Sequence, residues 1–156
     1  LPLPGMGNDS PALIQLQQSV SAAAGVILAT PEYHGSYSSV IKLMIENLGF
    51  PNALSGKPVA LLGVAAGRIG AIKALEHLRS VCSHVGAIVL PGPISVAGVQ
   101  QVFDEHGNCL DQGVEQEIRS LPGALVDYIQ LHNCPKVPLE EMVREGYAVQ
   151  WASPGG

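Results

Sequence analysis

The chain has 156 residues, 47% of them hydrophobic and 13% charged, which is too apolar and too weakly charged for disorder and long enough for one domain with a real core. Its net charge of −5 comes from 13 acids against 8 Lys plus Arg; with no basic run and no apolar run much longer than residues 59–62, neither nucleic acid nor membrane is an expected partner. Cys82, Cys109 and Cys134 are an odd set without CxxC spacing, so reduced thiols and a cytoplasmic location are expected rather than a disulfide framework.

The chain opens at Leu1 with the loop-like LPLPG and without a signal peptide, so an earlier segment is expected to precede it. Ser10 followed by Pro11 predicts a helix start, and the helix should run over residues 11–24 to Gly25. VILAT (26–30) reads as a strand covered on both faces. PEYHGSYSS (31–39) reads as a polar loop, with Ser38 or Ser39 capping a helix over 40–48 that ends at Gly49. PVALLGVA (58–65) is a second buried strand. AGRIG (66–70) is a turn, and a long helix follows to about residue 85. AIVLP (87–91) is a third strand. Residues 92–108 read as irregular with a short helix near 99–103. A last helix spans 111–132, disturbed at Pro122, and 133–156 is a tail rich in proline and glycine.

Alternating strands and helices with short connections predict a parallel sheet with helices on both faces, a three-layer α/β/α domain over residues 1–132. Three strands make a thin sheet. In the doubly wound order 2-1-3-4-5 they are expected to be the third, fourth and fifth, which leaves 26–30 as an apolar edge that two further strands would cover.

Ligands of such sheets bind beyond the carboxyl ends of the strands. Two loops lie there. In 30–37, Tyr33 and Tyr37 sit among Glu32, His34 and Ser36, a composition suited to a flat aromatic ligand, although a plain turn at Pro31 and Gly35 explains it as well. In 63–70, Gly67 and Gly70 surround Arg68 just before a helix, where backbone N–H groups attract negative charge. This is neither a P-loop nor GxGxxG, and a tight strand-to-helix turn is the simpler reading of its glycines.

Together, TPEYHGSYSSVIKLMIENL and GKPVALLGVAAGRIGAIKALEHLRSVCSHVGAIVLP resemble the TPEYNGSYPGVLKNAIDWL-type and GKPVALVSVSGGRGG-type blocks of NADPH-dependent FMN reductases. The resemblance implies a flavodoxin-like fold holding FMN. It places Pro31, Glu32, Tyr33, His34, Ser36 and Tyr37 against the isoalloxazine ring, and Ala66, Gly67, Arg68 and Gly70 at its pyrimidine edge. The family's phosphate-binding loop, with the strands around it, has no counterpart in this sequence. The implied reaction passes a hydride from NADPH or NADH to FMN and then electrons to a flavin, quinone or azo-type acceptor. Amides of 67–70 would face the ring's N1 and O2, and no protein acid or base is called for. Arg68 reads equally as a ligand contact and as a solvated loop residue. His34 stands where the family has Asn, and Ile69 where Gly is frequent.

Ile72, Leu75, Leu78, Cys82 and Val85 form one helical stripe, which puts Cys82 in the core. His77 and His84 read as surface or packing residues, and no metal site is expected. On helix 40–48, Val40, Ile41, Leu43, Met44, Ile45 and Leu48 make an apolar arc of about 200° against the ~100° of a one-sided helix. With the resemblance, this predicts a homodimer, or a tetramer of dimers, through that helix. The competing readings are a non-enzymatic FMN electron carrier and a flavin-less structural or regulatory protein on the same fold.

Overall fold

In the computed structural model, which describes residues 1–4, 6, 10–133 and 144, helix α1 (Pro11–Ala22) starts on Pro11 as expected, with Ser10 in extended backbone before it. Its Leu16 and Val20 pack on the core. Lys57 donates to the carbonyls of Ser21 and Ala23 at 2.9 and 2.7 Å, satisfying free acceptors at the helix end with a charge that suits it.

Strand β1 (Val26–Tyr33) runs through Pro31 and returns as the short antiparallel β2 (Ser36–Tyr37), with Glu32 opposite Tyr37 and Tyr33 opposite Ser36. The expected loop at 31–39 is therefore a hairpin. Its two-residue turn is His34–Gly35, at φ 50° and 79°, the paired left-handed conformation that matches strand twist. Helix α2 (Ser39–Glu46) follows.

Strand β3 (Pro58–Val64) is the centre of the sheet. It pairs in parallel with β1, from Val26 opposite Val59 to Pro31 opposite Val64. Beyond it come helix α3 (Ile72–His84), then two short strands, β4 (Ile88–Val89) and β5 (Ile94–Val96), both parallel to the far edge of β3. The strand expected at 87–91 is shorter, and β5 lies in the stretch read as irregular. Pro91–Gly92–Pro93 separates the two, because proline cannot donate to the ladder. Arg79 of α3 closes the gap, donating to the carbonyls of Val89 and Leu90 at 3.4 and 2.9 Å. The short helix α4 (Val99–Val102) and helix α5 (Gln112–Tyr128) follow, α5 capped by the Asp111 carboxylate and carrying Pro122 inside it. A wide helical turn, Ile129–Asn133, extends α5. Apart from residue 144, the rest of the expected tail, with Cys134, lies outside the described residues.

Two core clusters fill the two faces. Val59, Leu61 and Leu28 meet Ile45 of α2 and Leu75, Leu78 and Cys82 of α3. Ala60, Leu90, Ile94 and Val96 meet Leu121 and Leu125 of α5. Cys82 is fully buried as expected, whereas Ile72 at the head of the same stripe is 52% exposed. β3 is covered on both faces, but β1 is not. Its Leu28 and Thr30 are buried while Ile27 and Ala29 are exposed, because α5 covers β3 to β5 and no described element overlies β1 on that side. Upstream of its hairpin, the outer edge of β1 likewise pairs with no strand among the described residues.

Candidate functional site

Register puts the two suspected loops side by side. Thr30 pairs with Gly63 and Pro31 with Val64, so hairpin and glycine turn rise from neighbouring strands at their carboxyl ends, where open parallel sheets bind ligands.

The hairpin is anchored from below. The Thr30 hydroxyl, 2% exposed, donates to the Pro31 carbonyl and accepts from the Ser38 N–H, each at 3.0 Å. The Ser38 hydroxyl in turn accepts from the Ile41 N–H at 3.3 Å, capping α2. Three expected site residues serve the hairpin itself. The Glu32 carboxylate accepts the Gly35 N–H at 2.5 Å; the Ser36 hydroxyl bonds His77 Nδ1 of α3 at 3.1 Å; Tyr37 packs against the first core cluster. Tyr33, 61% exposed, and His34 are the side chains presented to solvent, with Pro31 half-buried beside them.

The glycine turn is tied down at both ends. The Ala65 N–H donates to Val96 at 2.8 Å, and the Val99 N–H donates back to the Ala65 carbonyl at 3.0 Å. The Gly67 carbonyl accepts from Gly70 at 3.2 Å and from Gly98 at 3.3 Å. The Ala71 N–H donates to the Ser95 hydroxyl at 2.8 Å. The N–H groups of Gly67, Arg68 and Ile69 have no acceptor among the described residues. The Ala66 N–H is likewise without an acceptor there, so the unused donors of the turn run over 66–69, and Gly70, expected among the donors, is turned inward. Ala66, Arg68 and Ile69 are exposed at the crest, and a Cβ at Gly67 would meet no atom within 4 Å. An exposed phenol ring and a run of unused amide donors at adjacent strand ends can take a flat molecule that carries carbonyl or anionic acceptors.

A third wall escaped the sequence reading. Ser95 and Gly98, from β5 and the start of α4, hold the glycine turn. The signal was the pair of β-branched residues Ile94 and Val96, either side of Ser95, resuming after Pro91–Gly92–Pro93. Cys82 stands apart from this site. Burial pushes its thiol up to about 11 against the opposing pull of Arg79, so it stays protonated and inert.

A model of the NADPH-dependent FMN reductase family matches residues 2–101. An NAD(P)H-dependent FMN reductase of Pseudomonas aeruginosa is 34% identical over 118 residues, 74% of this chain and 64% of that protein. An NADPH azoreductase of a Bacillus species is 32% identical over 121 residues, 78% of this chain and 67% of the relative. The chain thus spans about two thirds of the length of these relatives. Among solved structures, the flavoenzyme NAD(P)H:(acceptor) oxidoreductase of Paracoccus denitrificans superposes with a TM-score of 0.65 at 29% identity, over 80% of this chain and 71% of that one.

Proposed function

Because the chain belongs to the NADPH-dependent FMN reductase family, we propose that it holds FMN at the 30–37 and 66–70 turns and carries reducing equivalents from NADPH or NADH to a flavin, quinone or azo-type acceptor. The observation that supports this most directly is the shared strand-end origin of the two turns, Thr30 beside Gly63. The residues present fit the cofactor. The free amides of 67–69 are donors in search of acceptors, the space over Gly67 is open, and Tyr33 offers an apolar ring face.

The chemistry FMN supplies when bound is two-electron transfer from a nicotinamide to an acceptor. The chain's part is to bind and orient. Pro31, Tyr33 and His34 would border the ring, and the 67–69 amides would favour negative charge on its pyrimidine side; one such preorganised donor is commonly worth about 2.7–4 kcal/mol. Glu32, Ser36, Tyr37 and Gly70 would act indirectly, by holding the two turns in shape. Arg68, exposed at the crest, would on this reading meet a nucleotide phosphate. Arg68→Ala should raise the Michaelis constant for NADPH; unchanged constants and unchanged FMN affinity would remove it from the site.

We read the protein as a cytoplasmic homodimer, or a tetramer of dimers, joined through α2. Val40 on that helix is 68% exposed and Phe50 beyond its end wholly so, an apolar surface of the kind that subunits cover. No described helix is long and apolar enough to cross a membrane. We also read residues 1–132 as the flavin domain, its sheet completed along the bare side of β1 by two more strands. The deciding experiment is anaerobic stopped-flow of the FMN-loaded protein with NADPH. Bleaching of the flavin absorbance and its return on adding a quinone are expected. A bound flavin that NADPH leaves oxidised would make the protein a carrier, and a failure to bind flavin would leave only the fold.

A further inference from the structure

We infer that Ser95, on β5, is a positioning residue that sets the glycine turn at the height from which its free amides reach the ligand; this rests on the flavin reading above. The Ser95 hydroxyl lies 2.8 Å from the Ala71 N–H, 24 residues away in sequence, and accepts from it. Ala71 precedes the first residue of α3, and no side chain of its own segment caps that helix. The bond back to the N–H of the residue before a helix, which a capping box draws from the helix's own third residue, is here supplied across the sheet. The contact is close on every side. A Cβ at Gly70 would lie 2.6 Å from the Ser95 oxygen, and Gly70 has φ +75°; the turn passes directly over the hydroxyl only because no side chain intervenes. Ser95 is itself fixed, paired with Gly63 in the ladder between β3 and β5.

The consequence is a division of labour among the amides. Gly70 and Ala71 are engaged inward, by Gly67 and Ser95, and that engagement turns 67–69 outward with their N–H groups unused. Without the hydroxyl, the Ala71 N–H would compete for the same ligand or water, and the turn would lose its fixed height. A donor that must be ordered at the moment of binding is worth less than one already in place.

The test compares the wild-type chain with Ser95→Ala and Ser95→Thr, measuring FMN dissociation constants by quenching of flavin fluorescence. Ser95→Ala should bind FMN about tenfold more weakly, the scale of one lost hydrogen bond, while Ser95→Thr, which keeps the oxygen, should stay within about threefold of wild type. An alanine variant that binds like wild type, or a threonine variant as weak as the alanine one, overturns the inference. A readout without any variant is amide hydrogen exchange of the wild-type protein. Ala71 should exchange slowly with or without FMN, and 67–69 should exchange fast until FMN is added. A fast Ala71 amide overturns the inference even if neither variant folds. Failure of the wild-type protein to quench FMN at all, with Ala71 still protected, would instead strike the flavin reading and remove the ligand from this role.

Discussion

His34 holds its backbone at φ 50°, a conformation in which residues other than glycine are strained and asparagine is among the least so. The resemblance blocks carry Asn at this position, and the hairpin supplies a reason for it: Asn-Gly is the preferred pair for this two-residue turn. His34→Asn should therefore raise the unfolding free energy by a few tenths to about 1 kcal/mol in urea titrations. Gly35→Ala, at φ 79°, should lower it by about 1–2 kcal/mol. A stabilising Gly35→Ala would contradict the turn. Cys82 gives a prediction in pH. Its thiol is raised to about 11, so its contribution to stability is present below the thiol's ordinary pKa and disappears as pH climbs through 11. At pH 8, iodoacetamide should label Cys109 and leave Cys82 untouched until denaturant is added; equal labelling of the two in the folded protein would place Cys82 outside the core.

At the level of elements, the hairpin and α2 act as one piece through Thr30 and Ser38. Thr30→Val keeps the shape but leaves the buried Ser38 N–H without its acceptor, and should cost about 1–3 kcal/mol. Ser38→Ala removes the cap on Ile41 and should cost about 1 kcal/mol. Thermal unfolding of both variants checks this, and a neutral Thr30→Val would mean that the amide finds water. The long periodic elements are legible in the sequence: α1, β3 and α3 start and stop within about two residues of where capping and glycine signals put them, and α5 starts within one, although its regular part ends at Tyr128 rather than 132 and only the wide turn carries it on to Asn133. The hairpin is not legible, because a proline and a polar composition mask a strand that continues past its apolar run. Nor is β5, since three residues after a proline pair carry too little pattern to separate from a loop. The site followed the same division. The segments 30–37 and 66–70 could be named from sequence, but which of their groups face outward depended on tertiary hydrogen bonds to Ser95, His77 and Gly98 that no local pattern encodes.

For the molecule as a whole, the two faces of the sheet are unequal. α1, α2 and α3 share one, and α5 lies on the other, which leaves Ile27 and Ala29 of β1 exposed. A strand over 26–30 covered on both faces is expected from its apolar run, but among the described residues one face of β1 is open at Ile27 and Ala29. Association through α2 predicts a dimer in light scattering at micromolar concentration that Val40→Asp dissociates; a wild-type monomer under those conditions would end the dimer reading. Upstream of the hairpin, the outer edge of β1 carries no strand partner among the described residues. If two more strands dock there, as proposed, the outward-pointing amides of 26–30 join a hydrogen-bonded ladder and should be protected from exchange with solvent. Rapid exchange of every second amide along that strand would instead leave it a sheet margin.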